Sequence, residues 1–287
     1  MPLVTCIMQG GIGNQLFQIF TTMEYSFNHN IPFYLPNFQG MVGCDSISPR
    51  PSYWNTFFKN LQPHIRDERL MNITINYNEK DCYIYSAIPY FANHNIRLIG
   101  YFQNVKYFSE YGDKIIEKIG IRGFQKEIKD KYDITNTISL HFRIGDYNSS
   151  NLHLITGIQY YINALQKIIS LTYKDNYIIK YCHEERDTTL ANSHINRLKK
   201  NFPNMTFERV DNTLNDWQQM LYMSLCDHNV IANSTFSWWS AYLNENKDKI
   251  VCMPDKWLSN NDNIPEIDCN YNIIKDNTIK DNTNNNN

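Results

Sequence analysis

Ile138-Ser-Leu-His-Phe-Arg-Ile-Gly-Asp-Tyr147 decides how this chain is read. Apolar and β-branched residues from Thr137 to Phe142, bounded by Asn136 and Gly145, predict a strand. An open α/β sheet places its ligand crevice at the carboxyl ends of its strands, and there stand His141, Arg143 and Asp146. A guanidinium fixed at that point can make a bidentate, charge-assisted pair with a phosphate. The competing use is a structural ion pair with Asp146 or another carboxylate. His141 lies two residues earlier, on the same face of a strand. It is suited to a hydrogen bond with a ligand, or to a satisfied place in the core. Asp146 is suited to orienting the arginine, or to serving as a general base.

Downstream the pattern alternates. Strands over 177–181, 205–210, 229–232 and 249–253 are interleaved with helices near 156–171, 187–200, 214–225 and 236–244. Such repetition predicts a parallel sheet with helices on both faces. Asn233-Ser-Thr-Phe-Ser-Trp-Trp239 follows one of these strands and opens a helix. Ser234 or Thr235 is a good N-cap, and first-turn N–H groups can hold a phosphate. Phe236, Trp238 and Trp239 in the same turn suit a nucleobase or a pocket wall, although a tryptophan pair is more often core.

Upstream, the short apolar strand Leu3–Met8 runs into Gln9-Gly-Gly-Ile-Gly-Asn-Gln15 and an amphipathic helix carrying Leu16, Ile19, Phe20, Met23 and Phe27. Gly11 and Gly13 let a ligand or another segment approach the backbone, and Asn14 and Gln15 would project their amides there. Leu16 occupies the third glycine of G-x-G-x-x-G and no Gly-Lys-Ser/Thr occurs, so neither common nucleotide fingerprint is present. A ligand-free strand–helix turn is the simpler reading of these glycines. Ile96–Gly100 predicts another strand, followed by Tyr101-Phe-Gln, and helical spacing resumes over 109–131 with breaks at Gly120 and Gly123. Asp133–Asn136 is the expected domain boundary. The result is an α/β chain of two Rossmann-like domains facing a cleft, 1–135 and 136–270, with an Asn-rich tail over 271–287 expected to be disordered.

Composition narrows the function classes. A net charge of −2 and a pI near 6.4 give no general attraction to nucleic acid or anionic membrane. The seven cysteines are odd in number, widely spaced and lack CxxC, which indicates reduced thiols in the cytoplasm. No apolar run reaches transmembrane length, and the N-terminus lacks a basic n-region, so a soluble protein is expected. Without Asp-x-Asp, His-Glu-x-x-His or Gly-x-Ser-x-Gly there is no starting point for a metal–diphosphate site or a hydrolase. No metal and no cofactor are expected, and charge compensation falls on Arg143 and helix N-termini.

Taken together, Gly10-Gly-Ile-Gly-Asn-Gln, Gly100-Tyr-Phe-Gln, His141-Phe-Arg-Ile-Gly-Asp-Tyr and Asn229-Val-Ile-Ala-Asn-Ser-Thr-Phe-Ser-Trp-Trp-Ser-Ala-Tyr-Leu243 resemble the α-1,2-fucosyltransferases of glycosyltransferase family 11. The resemblance extends to about Trp257. It implies a glycosyltransferase-B fold and an inverting, metal-independent transfer of L-fucose from GDP-β-L-fucose to a sugar hydroxyl of a glycan or oligosaccharide acceptor. It further implies that Arg143 contacts the β-phosphate and His141 the nucleoside. Asn233, Ser234, Thr235 and Phe236 would cradle diphosphate and base, and the loop with Gly11, Gly13, Asn14 and Gln15 would face the transferred sugar. The N-terminal half would carry the acceptor. Two positions depart from the family pattern: Ile144 stands where a second arginine is usual, and Gln219 where an aspartate suited to guanine is usual. They keep two alternatives open, the same fold with another nucleotide sugar, and a non-catalytic carbohydrate-binding relative.

Overall fold

The computed structural model describes residues 1–38, 41–42, 49–145, 154–259, 263–267 and 271–275. The chain divides into two units, Met1–Phe124 with Pro265–Ile267, and Gln125–Ile264 with Asp268–Asn287.

In the first unit β1 (Val4–Cys6) feeds α1 (Ile12–His29) through the glycine turn. Then come β2 (Leu35–Pro36), β3 (Met41–Val42), β4 (Pro49–Arg50), β5 (Ile65–Arg66), β6 (Ile75–Asn78), β7 (Ile96–Ile99) and α2 (Gly112–Ile119). The sheet is parallel, in the order β1-β7-β6. Leu16, Phe17, Ile19, Phe20 and Met23 on α1 are buried. Phe17 and Phe20 meet the Phe108 ring at 5.8 and 5.2 Å between centroids. α1 ends at Asn30, whose left-handed φ of 50° lets its N–H turn back to Phe27 and Ser26. The Glu24 carboxylate accepts the N–H groups of Glu110 and Tyr111 at 3.0 and 2.9 Å, fastening α1 to the segment that enters α2.

α3 (Ile121–Lys129) carries the division between units. Phe124 packs on Phe57 in the first unit at 5.8 Å, whereas the Gln125 amide donates to Ser224 Oγ at 2.7 Å and to the Leu243 carbonyl at 3.1 Å in the second. The division therefore falls upstream of Asp133–Asn136, the boundary expected from sequence: side-chain anchoring sets it, and not the polar turn.

The second unit contains β8 (Thr137–His141), α4 (Ile158–Thr172), β9 (Ile178–Cys182), α5 (Thr188–Asn201), β10 (Thr206–Arg209), α6 (Asp216–Met223), β11 (His228–Val230), α7 (Thr235–Tyr242), β12 (Val251–Pro254) and β13 (Tyr271–Ile274). All six strands are parallel, in the order β10-β9-β8-β11-β12-β13. The chain lays three strands outward from β8, returns, and lays three more from β11 on the other side. This is the strand order of a dinucleotide-type Rossmann sheet, and its direction reverses between β8 and β11. Tyr160 on α4 crosses that reversal, its hydroxyl donating to the Cys252 carbonyl at 3.0 Å and also to that of Ile231. The core on one side gathers Ile138, Leu140, Phe142, Tyr160, Tyr161, Leu165 and Ile179.

The expected tail needs correction. Tyr271–Ile274 is not disordered; it pairs with β12 along its length, and Ile274 is buried against the core. A four-residue strand with polar neighbours on both sides leaves too weak a periodic signal to stand out from Asn-rich composition. Residues 276–287 lie outside the described residues. Among the described residues no helix is long and apolar enough to cross a membrane.

Candidate active site

The reversal between β8 and β11 brings two of the sequence motifs together. His141 is the last residue of β8, and its ring lies 5.1 Å from that of Phe236 in the first turn of α7. Its carbonyl accepts the Tyr161 hydroxyl at 3.0 Å, and its Nδ1 is buried with no hydrogen-bond partner among the described residues. Burial above all, then the nearby charges of Arg143 and His183, pushes the imidazole pKa down to about 3. His141 is therefore neutral at physiological pH. Its ordinary value is 6.5, so an unfolded chain takes up a proton below that pH which the folded chain refuses until about 3. Stability is expected to fall as pH drops through this window, and the slope should shrink by about one proton in His141→Gln, as urea unfolding at stepped pH would show.

Arg143 is half-buried and has a partner. It pairs with Oε1 of Glu184, on the turn after β9, while Oε2 of the same carboxylate accepts Arg186 Nη2 at 2.7 Å. The ion pair weighed at the sequence level is thus present, and Glu184 is the carboxylate. The turn after β9 also holds the turn after β8: Asp187 Oδ2 accepts the Gly145 N–H at 2.8 Å. A Cβ at Gly145 would lie 2.8 Å from Arg186 Nη2, so glycine makes room for the second guanidinium. Ile144 is buried in the core, so the place of the family's second arginine serves packing here. Asp146 lies outside the described residues.

At the start of α7 the motif divides its labour. Ser234 is the N-cap, extended at φ −144° and ψ 129°, and its side chain makes no capping bond. Asn233 is turned into the fold. It is buried, its Nδ2 donates to the carbonyls of Leu154 and Trp257 at 2.8 and 3.1 Å, and its Oδ1 accepts the Thr156 hydroxyl at 3.2 Å. Its amide clasps three segments around the turn. Ser237 Oγ accepts the Ala232 N–H at 3.2 Å and steadies the same turn. Thr235 and Phe236 begin the helix, where first-turn N–H groups point out of the N-terminus and favour an anion. Trp238 and Trp239 are fully buried, and Trp238 stacks on Tyr242 at 5.3 Å, so they are core and not a base platform. Gln219 lies on α6, its Nε2 donating to the Leu214 carbonyl at 2.8 Å in the turn before that helix.

In the first unit Gly10 adopts φ 77°, and a Cβ there would lie 2.3 Å from Asn14 Nδ2. Asn14 Oδ1 accepts the Gln103 amide at 3.1 Å, which joins the glycine turn to the Gly100-Tyr-Phe-Gln stretch. Gly11 caps α1 with open space beside its α-carbon, and Gly13 is buried inside the helix. Gln15 corrects an expectation: it is fully buried and donates to the carbonyls of Gly10 and Pro51 at 3.2 and 3.0 Å. A residue next to the turn but on the inward stripe of α1 is drawn into the core. Two residues without a motif complete this corner. Gln18 accepts the Gln9 N–H at 3.0 Å and donates to the Gly100 carbonyl at 3.2 Å; the Glu79 carboxylate accepts the N–H groups of Tyr101 and Phe102.

The sequence matches the model of Glycosyl transferase family 11 over residues 75–272. Two curated relatives from Escherichia coli are similar to it over 178 residues. The O-antigen biosynthesis glycosyltransferase WbnK is 31% identical (57% of this chain, 56% of the relative). An alpha-1,2-colitosyltransferase is 28% identical (57% of each). The chain thus spans somewhat more than half the length of these relatives. Among solved structures, the E. coli ADP-heptose lps heptosyltransferase II superposes with a TM-score of 0.53 at 9% identity, over 99% of this chain and 95% of that one. The NodZ alpha-1,6-fucosyltransferase of Bradyrhizobium, co-crystallised with GDP, gives 0.50 at 13% identity, over 84% and 92%. These likenesses show the glycosyltransferase-B fold.

Proposed function

The chain belongs to glycosyl transferase family 11, and from that premise we propose that it transfers a sugar from a nucleoside diphosphate to a sugar hydroxyl. The reading in its full form is inverting, metal-independent transfer of L-fucose from GDP-β-L-fucose in α-1,2 linkage. One observation carries it: the reversal point of a Rossmann-order sheet gathers His141, Arg143 and the N-terminus of α7. When the bond between the anomeric carbon and the diphosphate breaks, negative charge grows on the β-phosphate. A fixed guanidinium and a helix N-terminus aimed at that charge stabilise the transition state more than the ground state. In this scheme the diphosphate takes the place of Glu184 on Arg143, and Glu184 keeps Arg186 as its partner. Neutral His141 contributes a hydrogen bond to the nucleoside without adding charge. The first unit serves the acceptor.

A second reading, the same chemistry with another nucleotide sugar, is favoured by Ile144 facing the core, by Gln219 at the position of an acidic residue, and by the relative named for colitose. A thermal-shift panel of GDP, UDP, CDP and dTDP separates donors that differ in the base, and a transfer assay with GDP-β-L-fucose separates those that differ only in the sugar. The cognate nucleotide at a hundred times its Kd is expected to stabilise the fold by about 2.7 kcal/mol. A panel in which GDP does nothing and another nucleotide does this would select the second reading. If no nucleotide shifts the protein and it still binds oligosaccharide, it is a binding relative. Transfer is expected to keep its rate within about twofold in excess chelator; a rate abolished by chelator and restored by a divalent ion would remove metal independence.

A further inference from the structure

In the second unit the exit of β8 has β9 on one side and β11 on the other. Arg143 stands in that exit, with the first turn of α7 following β11. Its guanidinium is engaged on the β9 side instead, where Nη1 meets Oε1 of Glu184. Oε2 of the same carboxylate accepts Arg186 Nη2 at 2.7 Å, so one anion is shared between two guanidinium groups. The turn that carries it is held in place. His183 Nδ1 donates to the Glu184 carbonyl at 2.8 Å, and Asp187 Oδ2 accepts the Gly145 N–H at 2.8 Å. A Cβ at Gly145 would lie 2.8 Å from Arg186 Nη2 and 3.1 Å from Glu184 Oε2, so the shared pair rests directly on the β8 exit turn.

The neighbouring carboxylates are used elsewhere. Asp187 spends Oδ2 on that backbone N–H, and Glu185 pairs with Arg209 at 2.8 Å. Glu184 is the one that bridges. A lone ion pair strands a charge when one partner leaves, which is costly away from water. A carboxylate with two cations can give one up and remain paired. Side-chain exposure rises from 17% at Arg143 to 36% at Glu184 and 51% at Arg186, so the cation that stays behind is the one nearest solvent. The arginine fork accepts a carboxylate and a phosphate in the same planar geometry. Glu184 therefore occupies on Arg143 the place that a phosphate would take.

We propose, resting on the transferase reading above, that Glu184 is an internal competitor for Arg143. It holds the guanidinium on the β9 side while no donor is bound, yields it to the diphosphate, and takes it back when the nucleoside diphosphate product leaves. Arg186 is a positioning residue: it keeps the released carboxylate paired beside the site and so lowers the cost of the exchange. No covalent bond changes in this step. Its consequence is that nucleotide binds more weakly than the open site allows, by the fraction of molecules in which Arg143 is not engaged.

Equilibrium binding of GDP by the wild type, Glu184→Gln, Arg186→Ala and the double variant tests the exchange, with UDP, CDP or dTDP as probe if the wild type binds that nucleotide instead. A glutamine has one amide oxygen and no charge, so it cannot serve both guanidinium groups. Glu184→Gln is expected to bind about 3- to 10-fold more tightly than wild type. Arg186→Ala leaves Glu184 dependent on Arg143 alone, and its Kd should rise by about 3- to 10-fold. Added to Glu184→Gln, the same change should alter Kd by less than about twofold, because there is no longer a carboxylate to hold. Unchanged or weaker binding by Glu184→Gln overturns the proposal. So does an equal loss from Arg186→Ala in both backgrounds, which is what a direct phosphate contact or a bare field effect would give. If Glu184→Gln does not fold, Glu184→Asp takes its place with the same expectations, its carboxylate being one methylene short of bridging the pair. A wild type that binds none of the four nucleotides would contradict the transferase reading itself. Binding that Arg143→Ala weakens and Glu184→Gln leaves untouched would keep that reading and remove the competitor alone.

Discussion

Arg143→Ala is expected to lower the transfer rate by about 10²- to 10³-fold, the scale on which losing one preorganised charge partner for a developing anion is felt. The loss should appear in kcat and in donor affinity together, because the guanidinium meets a diphosphate that is charged before the bond breaks and more so afterwards. Folding should change by only about 1 kcal/mol: the Arg143–Glu184 pair is partly exposed, and Glu184 retains Arg186 as its counter-charge. Arg143→Lys keeps the charge but not the planar fork, and belongs between the two. Initial rates over a range of donor concentrations, with unfolding curves for each variant, check all of this. A fully active Arg143→Ala would end the arginine's role.

Trp238→Ala has the opposite signature, a large change in stability with the chemistry lost only as a consequence. Trp238 is fully buried, 5.2 Å from Trp239 and stacked on Tyr242. Truncating an aromatic ring in such a place costs about 3–5 kcal/mol, part transfer free energy and part unfilled cavity. The urea midpoint should fall accordingly with the slope of the transition unchanged. Because α7 starts at the reversal point, loosening its packing should also weaken nucleotide binding, which excess nucleotide would partly offset. A stability loss below about 1 kcal/mol would mean that α7 is not anchored by this ring.

The contrast between these variants follows what the sequence could and could not disclose. Strand–helix alternation after residue 136 was readable because most strands carry apolar or β-branched residues and each helix keeps its stripe, so every element from β8 to β12 lies within a few residues of its expected span. Strand order was not readable, since parallel pairing leaves no local mark; it emerges from the register, and it places His141 beside α7. β13 is short and surrounded by polar residues, so composition hid it. At the site, Arg143 and the Asn-Ser-Thr-Phe turn were visible as residue types in unusual places. Their partners were not. Glu184 pairs with Arg143 from another strand's exit turn, Ile144 faces inward where the family usually carries a second arginine, and Asn233 and Gln15 spend their amides on backbone carbonyls. Glu79 gave no signal, because what distinguishes it is the pair of backbone N–H groups brought to it by a turn more than twenty residues later.

The central claim is that a diphosphate binds where β8 and β11 part, held by Arg143 and the first turn of α7. A crystal structure of the protein with its cognate nucleoside diphosphate tests this most directly. The expected result has phosphate oxygens within hydrogen-bonding distance of the Arg143 guanidinium and of the N–H groups that open α7, with Glu184 released from Arg143 and still paired with Arg186. A diphosphate bound elsewhere, with the Arg143–Glu184 pair undisturbed, would contradict it.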